Sequence, residues 1–236
     1  MKDVWKTFGA TRALAGVSLE VHAGQVHALV GENGAGKSTL MKVLSGVHPA
    51  SSGELLVEGA RVRFSNPGDA RRRGIEMVYQ DLALAGNLRI DENIFLGREQ
   101  TRRWGPISLV DHRANQSRAM EHLENLRIHV KSVSQRVEEL SGGQRQAVAV
   151  ARATAFDAKV VIMDEPTAAL AVKEVAKVLD LIKGLRDKGI AVILISHRLD
   201  DIFYVCDRVM ALYHGRNFEE GRLDDINRNE VVGWIM

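Results

Sequence analysis

The chain is poor in cysteine, proline and aromatic residues. Its 236 residues include one Cys, four Pro and 5% aromatics. The lone Cys206 excludes an internal disulfide and any zinc site built from several thiolates. An excess of either charge sign is also missing. Lys and Arg number 32 and Asp and Glu 30, so the formal charge is +2, which argues against a nucleic-acid coat or a polybasic membrane anchor. Long apolar runs are absent too. The longest, residues 190–195, falls far short of the roughly 18 needed to span a bilayer. The opening Met1-Lys2-Asp3-Val4-Trp5-Lys6 shows no apolar signal-peptide core. His22, His27, His48, His112, His122, His129 and His214 show no metal-ligand spacing and read as surface or packing residues. What remains is the expectation of a soluble, cytosolic α/β protein, with 45% apolar and 26% charged residues.

Three short β-branched runs read as strands of a parallel sheet buried on both faces: residues 26–30, 160–163 and 191–195. A fourth, residues 75–79, ends at Gln80. Ligands bind at the carboxyl ends of such strands. The first part of the chain reads as antiparallel. Residues 17–21 alternate like a half-exposed strand, and residues 54–59 and 62–64 follow near the same edge. Asn66-Pro67 is a helix-opening pair, Asn as cap and Pro as first helical residue. Residues 82–156 carry little strand signal, with helical periodicity over residues 114–126, and predict a mostly helical insert. Arg71-Arg72-Arg73 reads as a solvated helix face, and Trp104 and Trp234 as packing residues.

After the first buried run comes Gly31-Glu32-Asn33-Gly34-Ala35-Gly36-Lys37-Ser38-Thr39, then an apolar helix pattern. This is a phosphate-binding P-loop in its strand–loop–helix setting. Its glycines let backbone N–H groups converge on phosphate oxygens, and the helix N-terminus adds positive potential. Lys37 is placed to reach the β- and γ-phosphates, and the Ser38 hydroxyl to bind Mg²⁺. The 160–163 run delivers Asp164 and Glu165 to a strand end. Asp164 is the second magnesium anchor, through water, and Glu165 the acceptor of a proton from an attacking water. Leu140-Ser141-Gly142-Gly143-Gln144 opens a helix of small residues and forms a second anion site.

These motifs, in this order, resemble the nucleotide-binding subunits of ABC transporters over nearly the whole chain. The resemblance implies a P-loop NTPase core of RecA type, residues 1–81 and 157–236, with an antiparallel β edge and an inserted helical subdomain, residues 82–156. It implies that Phe8 stacks on adenine, ahead of Trp5. It also implies that Gln80 is the Q-loop glutamine touching Mg²⁺ and water, that Ser141, Gly142, Gly143 and Gln144 form the signature, and that His197 is the switch histidine on the γ-phosphate. Phe8 stands where tyrosine is commonest. Ala171 stands where the D-loop often has Asp or Ser, and the N-terminus is several residues short for the family.

Stretches such as Glu92-Asn93-Ile94-Phe95-Leu96-Gly97-Arg98-Glu99 and Ile195-Ser196-His197-Arg198-Leu199-Asp200 resemble the monosaccharide importers of ribose, galactose, xylose and fructose type. The expectation is therefore a peripheral ATPase on the cytoplasmic face of the membrane. Its cofactors would be ATP and Mg²⁺. Its partners would be a second copy of itself, permease subunits contacted through residues 82–96 and, indirectly, a sugar-binding protein. An importer for another small solute, or a soluble ABC ATPase working on nucleic acid or ribosomes, is the alternative. The latter usually has two units per chain or long coiled coils, so no nucleic-acid partner is expected. A non-catalytic nucleotide-gated module is opposed by Glu165 and His197.

Overall fold

The buried runs assemble as their composition requires. In the computed structural model, which describes residues 1–105 and 107–235, β1 (Lys2–Phe8), β2 (Thr11–Val17), β4 (Ser52–Val57) and β5 (Ala60–Val62) form one antiparallel sheet in the order β2-β1-β4-β5. The second sheet joins β3 (Val26–Val30), β6 (Ile75–Val78), β9 (Val160–Asp164), β10 (Ala191–Ile195), β11 (Arg208–Tyr213) and β12 (Arg216–Arg222). Its order is β12-β11-β3-β10-β9-β6, parallel except for β12.

Alternate residues of the central strands serve opposite faces, as strand pleating dictates. Ile162, Ile193 and Ile195 pack with Leu40 and Met41 of α1 (Lys37–Leu44) and with Val4, Leu14 and Leu55 of the antiparallel sheet. Val161, Met163, Val192 and Leu194 face the other way. They pack against α5 (Gly142–Thr154) and α6 (Val172–Asp187), in one core with residues of α3 (Ile90–Phe95) and α4 (His112–Asn125). Ala28, Val30, Val209 and Ala211 bury against α7 (Leu199–Val205) and α8 (Arg228–Ile235). The helix opened by Asn66 is α2 (Pro67–Arg72), and the Asn66 side chain accepts the Asp69 N–H.

Four expectations need correction. Residues 17–21 do not form a strand; β2 ends at Val17. Their alternating burial is present, but the backbone of Ser18 bonds the Asn217 side chain and that of Leu19 bonds Met1. The strand expected at 62–64 ends at Val62. The insert contains a hairpin, β7 (Thr101–Trp104) paired with β8 (Ile107–Val110), with all eight residues exposed. Trp104 is therefore not a packing residue; it is 78% exposed. The segment expected to contact the permease, residues 82–96, keeps most of its apolar side chains tucked in. Leu82 and Leu84 pack against the core, Ile90, Ile94 and Phe95 are buried, and Leu96 is exposed. Buried Asn93 pins this segment, accepting the Ala85 N–H and donating to the carbonyls of Ala85 and Arg89.

His27, on β3, is fully buried with no hydrogen-bond partner for either ring nitrogen. Burial pulls its pKa down to about 4, against the pull of Glu220, whose carboxylate stands 4.0 Å away. A ring neutral in the folded state but protonated in the unfolded chain lends stability above pH 6.5 that is lost as pH falls toward 4. The difference is about 3 kcal/mol. Denaturant titrations of wild type and His27→Leu at several pH values should show this slope in the wild type and its absence in the variant. Equal slopes would assign the acid sensitivity elsewhere.

Candidate functional site

The loop between β3 and α1 is pressed between two backbones. Gly31 has φ 136°, and a Cβ there would lie 2.2 Å from the Leu212 carbonyl oxygen. Gly36, at φ 107°, caps α1, and its Cβ would stand 2.9 Å from the Ala13 oxygen. Only glycine fits both the space and the dihedral. Asn33, Gly34 and Ser38 are exposed on the outer side of the loop, Ala35 is buried and Thr39 half-buried. The first turn of α1 has no side-chain cap and no acidic residue, so its end is open to an anion. Lys37 is 8% exposed and donates to the carbonyls of Gly31 (2.6 Å) and Glu32 (2.9 Å). Its ammonium thus lies inside the loop. Burial lowers its pKa, while Glu165 and Asp164 oppose the shift.

Asp164 ends β9 opposite Ile195 of β10. Burial raises its pKa, and Lys37 and His197 pull it back. Glu165 follows at φ 49°, its N–H donating to the Ile195 carbonyl at 2.9 Å. Burial raises the Glu165 carboxyl as well; His197 opposes this and Asp164 adds to it. His197 Nε2 comes within 3.3 Å of Glu165 Oε1 without hydrogen-bond alignment, and that buried oxygen has no hydrogen-bond partner. Two adjacent carboxylates near a buried ammonium, one with an unpaired oxygen, suit a hard divalent cation and a water. Gln80 is exposed just past β6. It lines a cleft of about 350 Å³ with Glu165, Ala168, Ala169, Leu170 and Gly142.

The structure thus brings the P-loop, Asp164, Glu165, His197 and Gln80 to one edge, at the ends of the neighbouring strands β3, β9, β10 and β6. Gln80 and Glu165 share a cleft with Gly142 of the signature, but the P-loop is not joined to it. Ser141 caps α5 in a reciprocal box with Gln144, Gly142 and Gly143 follow, and no hydrogen bond among the described residues links this turn to residues 31–39. Phe8 ends β1, 43% exposed and edge-on to His48 at 5.1 Å. Trp5 is engaged elsewhere, donating to Asp3 with Arg12 over its ring.

Sequence reasoning missed three contacts around this edge. Arg152, near the end of α5, donates to the carbonyls of Leu82 and Ala83, just beyond Gln80. An arginine inside a helix of small residues was the available signal. Buried Thr167 donates to Asp201 at 2.5 Å, tying the segment after Glu165 to α7. Glu174, in the first turn of α6, reaches the signature turn.

The ABC transporter family profile matches residues 14–168. A xylose/arabinose import ATP-binding protein, XylG, of Sulfolobus acidocaldarius is 47% identical over 98% of this chain and 91% of its own length. A ribose import ATP-binding protein, RbsA 1, of Streptomyces coelicolor is also 47% identical, over 98% of this chain. The chain spans 45% of that relative, about half its length. An ATP-binding cassette of an ABC transporter in its ADP conformation superposes with a TM-score of 0.84 at 28% identity, covering 99% of this chain and 96% of that one. A dimeric post-hydrolysis cassette bound to ADP and Pi gives 0.76 at 26% identity, covering 94% and 97%. Profile, full-length likeness and superposition agree with the P-loop edge described above: the chain belongs to the ABC transporter family, among its ATP-binding proteins.

Proposed function

We propose that the chain is the ATP-hydrolysing subunit of an importer for a monosaccharide. The observation that carries the reading is the shared edge, where a buried lysine, two burial-raised carboxylates and a histidine meet at neighbouring strand ends. The names of the xylose/arabinose and ribose import relatives support the substrate class.

The triphosphate lies along residues 31–39, held by backbone N–H groups and Lys37, which exchanges its two carbonyl partners for the β- and γ-phosphates. Adenine stacks on the exposed ring of Phe8. Ser38, Asp164 (through water) and Gln80 would hold Mg²⁺, which would supply charge neutralisation on the phosphates. Glu165 accepts a proton from the attacking water; burial raises its carboxyl above the ordinary value, which makes it a stronger base. His197, beside Glu165, contacts the γ-phosphate.

The signature serves another subunit. Ser141, Gly142 and Gly143 form an anion site with no bond to their own P-loop. They cover the nucleotide held by a second copy, as in a head-to-tail dimer. Residues 82–156 act as the helical subdomain and, with Gln80, meet the permease subunits. No helix among the described residues is long and apolar enough to cross a membrane, which fits a peripheral subunit on the cytoplasmic face. A sugar-binding protein completes the assembly indirectly.

Glu165→Gln should keep ATP binding and lose about 10²-fold or more in steady-state hydrolysis. With Mg-ATP it should accumulate as a dimer on size-exclusion chromatography. Hydrolysis at the wild-type rate would remove Glu165 from the mechanism. A second test concerns site sharing. Lys37→Ala and Ser141→Arg homodimers should each be inactive, whereas purified mixed dimers should regain single-turnover cleavage, because one of their two sites carries neither change. Mixed dimers as inactive as the parents would show that each site is complete within one chain.

A further inference from the structure

The signature turn already has an anion on it. Glu174 is the only acidic residue in the first turn of α6, whose cap residue, Ala171, offers no side-chain bond. The Glu174 side chain lies against the signature turn, where the Ser141 hydroxyl and the backbone N–H groups of Gly143 and Ala171 hold its carboxyl below the usual range. Two helix N-termini, those of α5 and α6, therefore share one carboxylate. The contact is close. A Cβ on Gly143 would fall 2.9 Å from Glu174 Cβ and 3.1 Å from its carboxyl carbon, and one on Gly142 would lie 3.6 Å from Oε2. Ser141 Oγ meanwhile accepts the Gln144 N–H, which leaves its hydroxyl proton free to be donated.

A glutamate in the first helical turn ordinarily returns to its own cap residue. Here the Ala171 N–H faces the carboxylate, but the other two donors near it belong to α5. They are the Ser141 hydroxyl and a glycine N–H, which is the donor set a phosphate oxygen would use. Glu174 is half-buried at a groove lined also by Ser141, Gly143, Gln144 and Lys177, so its side chain has room to leave. Lys177, three residues along α6, acts on the same carboxylate as a neighbouring cation and is placed to receive it.

We propose that Glu174 gates the signature: its carboxylate fills the phosphate cradle of the resting subunit and must swing away before the γ-phosphate held by the partner can enter. The inference rests on the shared-site reading above. A carboxylate and a triphosphate cannot both occupy one helix N-terminus, because each disfavours the charge of the other. Glu174 therefore competes with closure of the dimer and raises the ATP concentration at which it occurs. It is a positioning residue, since it touches Ser141 and Gly143 and not the reacting atoms.

The test uses the full chain carrying Glu165→Gln, in which the ATP-bound dimer persists. Adding Glu174→Gln keeps the side chain's shape and removes its charge. ATP for half-maximal dimer formation should fall about two- to five-fold, the range for a charge at an exposed helix N-terminus. Glu174→Ala should shift it in the same direction. Melting temperatures of the nucleotide-free monomers should stay level or drop, since a cap is lost. A purely structural Glu174 would weaken dimer formation along with the monomer. An unchanged or raised ATP requirement in both double variants overturns the gate. If the Glu165→Gln protein alone forms no ATP-dependent dimer, the shared-site reading fails and the gate fails with it.

Discussion

Everything at the candidate site depends on the register of four parallel strands. Ile195 of β10 lies between Leu29 of β3 and Asp164 of β9, and Met163 pairs with Val78 of β6. That register aligns the strand ends, so the loops bearing Lys37, Asp164, Glu165, His197 and Gln80 leave the sheet at one level. A slip of one residue would turn each strand's inward side chains to the opposite face. Burial on both faces forbids the slip, because Ile162 and Ile193 belong to one core and Val161 and Val192 to the other. Core packing and site geometry are thus a single constraint.

The electrostatics follow from the same burial. Withdrawal from water lowers the pKa of Lys37 and raises those of Asp164 and Glu165; the lysine and the carboxylates partly offset one another's shifts, while Asp164 adds to that of Glu165. The edge is prepared for an added anion and cation. Lys37 occupies itself with two carbonyls, and Glu165 leaves one buried oxygen without a donor.

Features were legible in the sequence where local pattern and long-range packing coincide. The runs at 26–30, 160–163 and 191–195 are apolar because both faces are covered, so composition alone marks them. The glycine spacing at residues 31–36 is legible because sterics leave no other residue at Gly31 or Gly36. The hairpin from Thr101 to Val110 was illegible because it has no buried face to impose alternation. Residues 17–21 alternate in burial as a strand would. Their backbone partners, Met1 and the distant Asn217, leave no trace nearby. Arg152 and Glu174 look like ordinary helix-surface charges until the fold carries one to the carbonyls past Gln80 and the other to the signature turn.

Glu165 holds a left-handed backbone at φ 49°. For a residue with a side chain this costs about 1–2 kcal/mol relative to the ordinary helical region. Its N–H bond to the Ile195 carbonyl helps to hold the conformation in place. Folding alone would favour glycine or asparagine at this position, while the role proposed for Glu165 requires a carboxylate. The two requirements pull in opposite directions at one residue, so this position is a local trade of stability for activity. Drift toward a more stable protein at residue 165 would lead away from a working one.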